Sequence, residues 1–224
     1  MTVDQLSILP VLLFSVIIHE IAHGWMALRL GDPTAKMMGR LTLNPIPHID
    51  LVGSILVPLF SLIAAGQVFI AWAKPVPVNP MNFRNIRRDD VLVSVVGPLS
   101  NIVLALACTL LFVACAAVRG QAGFPEGGMA DQGVLFLCRM FHGGIVLNIV
   151  LAVFNLIPVP PLDGSHVVAS LLPDDLANRY TRIGFLGVFI VILMMRVPVV
   201  NAMFSATVHA LFTPFAAIIN IFFG

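Results

Sequence analysis

Apolar residues in this chain gather into long runs, near 6–30, 51–70, 91–118, 134–157, 183–197 and 199–223, separated by short polar or turn-rich stretches. About 20 helical residues cross the ~30 Å hydrocarbon core of a bilayer. The runs therefore predict membrane helices. The run 183–197 is short for a crossing, and 51–70 is interrupted by Pro58 and Gly66. If 51–70 crossed fully, the basic residues of 74–88 would face away from Arg29, Lys36 and Arg40. If it enters and returns, one face collects Arg29, Lys36, Arg40, Lys74, Arg84, Arg87, Arg88, Arg179 and Arg182, and the other keeps Arg119, Arg139 and Arg196. Nine against three follows the positive-inside rule and makes the first face cytoplasmic. The expected fold is an all-α polytopic membrane protein of about five transmembrane helices plus one re-entrant segment, forming a single membrane-embedded domain over 1–224.

Composition supports this and excludes other classes. Hydrophobic residues make up 59% of the 224 residues and charged residues 10%, and mean hydropathy is +1.01. The lipid bilayer is the expected surrounding. A formal net charge of +1 gives no basic surface for nucleic acid. Cys108, Cys115 and Cys138 have no metal or disulfide spacing and are expected to pack as small apolar groups. The stretch Met1-Thr2-Val3-Asp4 has no basic n-region, so cleavage as a signal peptide is not expected.

The chemistry starts with His19-Glu20-Ile21-Ala22-His23, inside the first apolar run. Ionisable groups at membrane depth are costly and are kept for function. Residues i and i+4 share a helix face, so His19 and His23 can offer two nitrogens to one ion, and Glu20 beside them can take a proton from water on that ion. A catalytic zinc needs a third protein ligand. Asp32, His48, Asp50, Asp163 and His166 are the candidates on the same face. Asp163 stands out, because Pro158, Pro160 and Pro161 break the preceding helix and let a carboxylate turn inward.

His19-Glu20-x-x-His23, then Gly97-Pro98-x-x-Asn101, then Asn155-x-x-Pro158-x-x-x-x-Asp163-Gly164 resembles the site-2 protease family of intramembrane zinc metalloproteases. The motifs stand in the family's order and cover most of the chain, in a minimal form with no stretch for a PDZ or CBS domain. The resemblance implies one Zn2+ held by His19, His23 and Asp163, with Glu20 as general base. It also implies hydrolysis of peptide bonds within transmembrane segments of a membrane-protein substrate, near the cytoplasmic side of the cell membrane. Asn155 and Asn148 share a helix face and are expected to contact substrate or oxyanion, Asn148 equally as interhelical glue. His48 is a gate, a contact to the fourth zinc position or a cap for the re-entrant segment, and His166 a group behind the ligands. Short membrane-associated β-strands are expected near the active site, with Ala73–Val78 as an edge and Gly39–Leu43 as its partner or as the substrate-facing strand. A regulatory membrane partner stays open. So do two rival readings: a scaffold of the same family that no longer cuts, and a zinc hydrolase acting on another membrane substrate.

Overall fold

A computed structural model describes residues 3–56, 73–125 and 127–223. The long apolar runs form helices α1 (Val3–Arg29), α3 (Ile86–Gln121), α4 (Met129–Asn155) and α8 (Pro198–Phe223). Each is long and apolar enough to cross a membrane. Shorter helices are α2 (Thr34–Met37), α5 (Gly164–Leu171), α6 (Asp174–Thr181) and α7 (Leu186–Met195). The run 183–197 yields only the ten residues of α7, which at 1.5 Å per residue covers about half of a hydrocarbon core. It counts as a crossing only together with α6, from which it is bent by 79°. Gly184, at φ +49, stands at that bend.

Of the expected re-entrant segment 51–70, residues 51–56 wind into one π-helical turn, whose start Asp50 caps by accepting a hydrogen bond from Gly53 N–H at 2.6 Å. The remainder lies outside the described residues. No strand occurs among the described residues, so the expected β-strands at 39–43 and 73–78 are corrected. Gly39, at φ +65, takes the chain out of α2, and Arg40 N–H still bonds back to Ala35 O. Pro75 and Pro77 have no N–H, and the neighbouring donors go to scattered acceptors: Lys74 N–H to His48 O, Val76 N–H to Glu20 and Asn79 N–H to Asp32. A ladder needs a row of donors facing one partner, and this segment has none to offer.

The chain divides into two compact units, Val16–Gly97 and Met1–Ser15 with Pro98–Gly224. In the second, Ala105 and Cys108 of α3, Ile145 and Ile149 of α4 and Phe215 of α8 form a buried core. Gly144 lets α4 approach closely: a Cβ there would stand 2.9 Å from Cys108 Sγ and Val11 Cγ1, the small-residue packing on which membrane helices rely. Asn101 and Asn148, both wholly buried, join α3 to α4 through a 3.0 Å hydrogen bond.

In the unit Val16–Gly97, Ala27, Phe83 and Val93 form the core. Asp32 lies just beyond α1 and is completely buried. Its carboxylate accepts from Thr34 N–H, the Thr34 hydroxyl, Asn79 N–H and the Asn82 amide. Burial alone would raise its pKa, but these hydrogen bonds together hold it below the usual carboxylate value. Asp32 thus fastens residues 79–82 to the end of α1.

Candidate metal centre

The first requirement for a metal site is that donor atoms converge, and within Val16–Gly97 two do. His19 and His23, one turn apart on α1 and both more than nine-tenths buried, face each other with Nε2 atoms 3.0 Å apart. Two bare lone pairs would repel at that separation, so the pair demands a shared proton or a shared cation. Two imidazole nitrogens on one tetrahedral zinc, at ~2.0–2.1 Å each, stand about 3.3 Å apart. The spacing and the neutral-nitrogen chemistry fit that ion. His23 Nδ1 lies 2.7 Å from Val93 O on α3. A carbonyl can only accept, so Nδ1 carries the proton and the Nε2 lone pair turns into the site.

Space beside the two rings is kept by a missing atom. A Cβ on Gly97 would fall 2.3 Å from His23 Nε2 and 2.8 Å from His19 Cε1. Gly97 belongs to the Gly97-Pro98 motif, yet its steric role is invisible without the histidines beside it. Glu20 follows His19 directly, and its Oε2 accepts a 2.6 Å hydrogen bond from Val76 N–H.

These elements also match known proteins. Residues 7–196 fit the sequence profile described as peptidase family M50. The chain belongs to this family, the site-2 protease family that its motifs resemble. It is 40% identical, over 85% of its own length and 81% of the relative's, to a Bacillus subtilis protein named "Putative zinc metalloprotease YwhC". Two proteins named "Putative zinc metalloprotease Rip2" are 28% identical (Mycolicibacterium smegmatis) and 32% identical (Mycobacterium tuberculosis), each over 89% of this chain and 70% of the relative. No solved structure matches the chain. Zinc is the metal of family M50, in keeping with the donor chemistry of the histidine pair.

The other expected site residues fall in different settings. Asp163 precedes the first residue of α5, in the unit that holds residues 98–224. Its side chain makes no capping bond to the helix it begins. The position is fixed by its neighbour: a Cβ on Gly164 would lie 2.2 Å from Leu156 O, so the chain doubles back against the last carbonyls of α4 only with glycine there. His166 is half-buried in the first turn of α5, with its N–H on Asp163 O. Asn155 donates one amide hydrogen to Leu151 O at 2.9 Å. Asn148 donates to Gly144 O and accepts from Asn101, so its polar atoms are committed inside the helix bundle. His48 is buried, with Nε2 donating to Thr42 O at 2.9 Å and its carbonyl accepting from Lys74 N–H. It ties residues 42–48 to residues 73–74. Val93 and Val76 are the contributors that the motifs did not single out, and Gly97, although part of a motif, carries no sequence signal of its steric role.

Proposed function

We propose that this M50 protein is an intramembrane zinc endopeptidase that hydrolyses peptide bonds within the transmembrane segments of membrane proteins. One observation carries the reading: two buried imidazole nitrogens converge at 3.0 Å, with a carboxylate next in sequence, on a helix apolar and long enough to cross a membrane. A pair of zinc ligands has no reason to be kept at such a cost in apolar surroundings unless the reaction is performed there.

In this reading His19 and His23 hold the ion through Nε2, and Asp163, from the third motif, completes the set. Zinc, when bound, supplies a Lewis acid that lowers the pKa of a water and polarises the scissile carbonyl. Glu20 takes the proton from the attacking water and returns it to the leaving amine, so the balance is one peptide bond and one water giving a carboxyl and an amino end. The second amide hydrogen of Asn155 is assigned to a substrate carbonyl. Asn148 is left to the bundle. The surplus of basic residues in the loops beside the motifs supports a site that opens towards the cytoplasm.

The test is zinc per polypeptide for the detergent-solubilised protein and its Asp163→Ala variant, with cleavage of a co-reconstituted single-span substrate by wild type and Glu20→Gln. One zinc that is largely lost in Asp163→Ala, and zinc without cleavage in Glu20→Gln, is the expected result. Zinc untouched by Asp163→Ala removes Asp163 as a ligand. Cleavage by Glu20→Gln at the wild-type rate removes Glu20 as the base.

A further inference from the structure

Residues 73–79 cross the face of α1 that carries Glu20, and their composition is unusual. Lys74, Val76 and Asn79 each precede a proline, which biases all three towards extended backbone. Pro75 and Pro77 remove the N–H groups on either side of Val76. Between Lys74 and Val78 the chain therefore offers one backbone donor, and that donor lies 2.6 Å from Glu20 Oε2. Both ends of the segment are fastened. Lys74 N–H bonds to His48 O, and Lys74 O accepts from the Arg40 guanidinium at 2.7 Å. At the other end Asn79 N–H bonds to buried Asp32. The middle is fixed by packing: Val76 is buried, and its Cγ1 occupies the place that a side chain on Gly24 would need, 2.8 Å from the position of a Cβ there. Gly24 is four residues after Glu20, so the recess and the carboxylate share one helical face.

We propose that Val76 is the positioning residue of the catalytic base. Its N–H holds Glu20 Oε2, and residues 73–79 form a strap built to present this single donor. The proposal rests on Glu20 being the base. A free glutamate samples many rotamers and loses side-chain entropy on ordering. A charge-assisted bond to one oxygen removes most of that freedom before substrate arrives, and leaves Oε1 as the oxygen that meets the water. The strap also acts against a wrong outcome. With no N–H on Pro75 or Pro77, no adjacent backbone donor of the strap competes with Val76 for the carboxylate, and a substrate carbonyl finds no other donor on the strap at that point.

Two measurements test this. The first needs no catalysis. Val76 carries the only exchangeable backbone amide between Lys74 and Val78, so hydrogen–deuterium exchange of a peptide spanning the strap reads it directly. In the wild-type protein this amide should exchange slowly, and in Glu20→Ala at least tenfold faster, while the amide of Asn79, held by Asp32, stays protected. Equal exchange at Val76 in both proteins overturns the proposal. The second compares Val76→Pro, which deletes the donor yet keeps the extended backbone, with Val76→Ala, which keeps the donor. Val76→Pro should bind zinc as wild type does and lose about a hundredfold in kcat with KM within twofold, the scale of a misplaced catalytic group, whereas Val76→Ala, which loosens the packing beside Gly24 but keeps the donor, should lose no more than about tenfold. A KM effect alone, a loss of zinc in Val76→Pro, or equal kcat in the two variants rejects the role. The exchange result stands even if Val76→Pro does not fold. Turnover by Glu20→Gln would instead remove the reading of the base on which the proposal rests.

Discussion

Replacing Gly97 by alanine tests whether the histidine pair needs the space that glycine leaves. The added Cβ would lie 2.3 Å from His23 Nε2, 2.4 Å from His23 Cε1 and 2.8 Å from His19 Cε1. Ordinary contacts of this kind lie near 3.5 Å or beyond, so the His23 ring must retreat by about 1 Å. It cannot do so freely, because its Nδ1 is bonded to Val93 O, one turn before Gly97 on the same helix. Relief therefore breaks that bond, at roughly 1 kcal/mol, or bends the helices apart, at roughly 1–3 kcal/mol for overpacking. Either way Nε2 moves away from the position in which it would hold an ion together with His19. Loss of a group that orients a ligand lowers metal affinity by about 10–100-fold, and direct intrusion should reach the upper end. Chelator competition on Gly97→Ala in detergent should show a zinc affinity about 100-fold weaker than wild type, with thermal unfolding still cooperative. Gly120→Ala is the control on the same helix, since nothing lies within 4 Å of a Cβ there. Wild-type zinc affinity in Gly97→Ala would refute the crowding and, with it, the placing of the metal between these rings.

Two further perturbations address the framework. Asp32 has a folded-state pKa below its unfolded value of about 3.9, so its stabilisation is complete above about pH 4 and is lost as pH falls through the folded value. Asp32→Asn should lower the thermal midpoint at pH 7 and flatten the acid-side decline seen in the wild type; an unchanged pH profile would exclude Asp32 as a source of that decline. For the buried Asn101–Asn148 bond, a double-mutant cycle with leucine at each position should return a coupling of about 0.6 kcal/mol, up to roughly 1.7. Additive losses would show that the two amides stabilise the bundle independently.

The long helices and the histidine motif were legible because each has a strong sequence signal: twenty or more apolar residues, and two imidazoles at i and i+4. The failures have equally physical causes. The run 183–197 reads as short for a crossing, but its composition does not signal the 79° bend at its start, where Gly184 stands at φ +49. Alternating Pro75-Val76-Pro77 looked like a strand edge because prolines leave one side without donors, but an edge also needs a row of donors on the other side. Here the N–H groups of Lys74, Val76 and Asn79 serve a carbonyl and two carboxylates from separate segments, which no spacing rule could assign. The same limit applies to the metal centre. His19, His23 and Glu20 announce themselves through the groups they carry, whereas Gly97 and the prolines of the strap contribute through atoms they lack. An absent Cβ keeps room beside the histidine rings, and two absent N–H groups leave one donor facing the carboxylate. What a missing atom does depends wholly on which neighbour would have met it, and that neighbour is known only once the chain has folded.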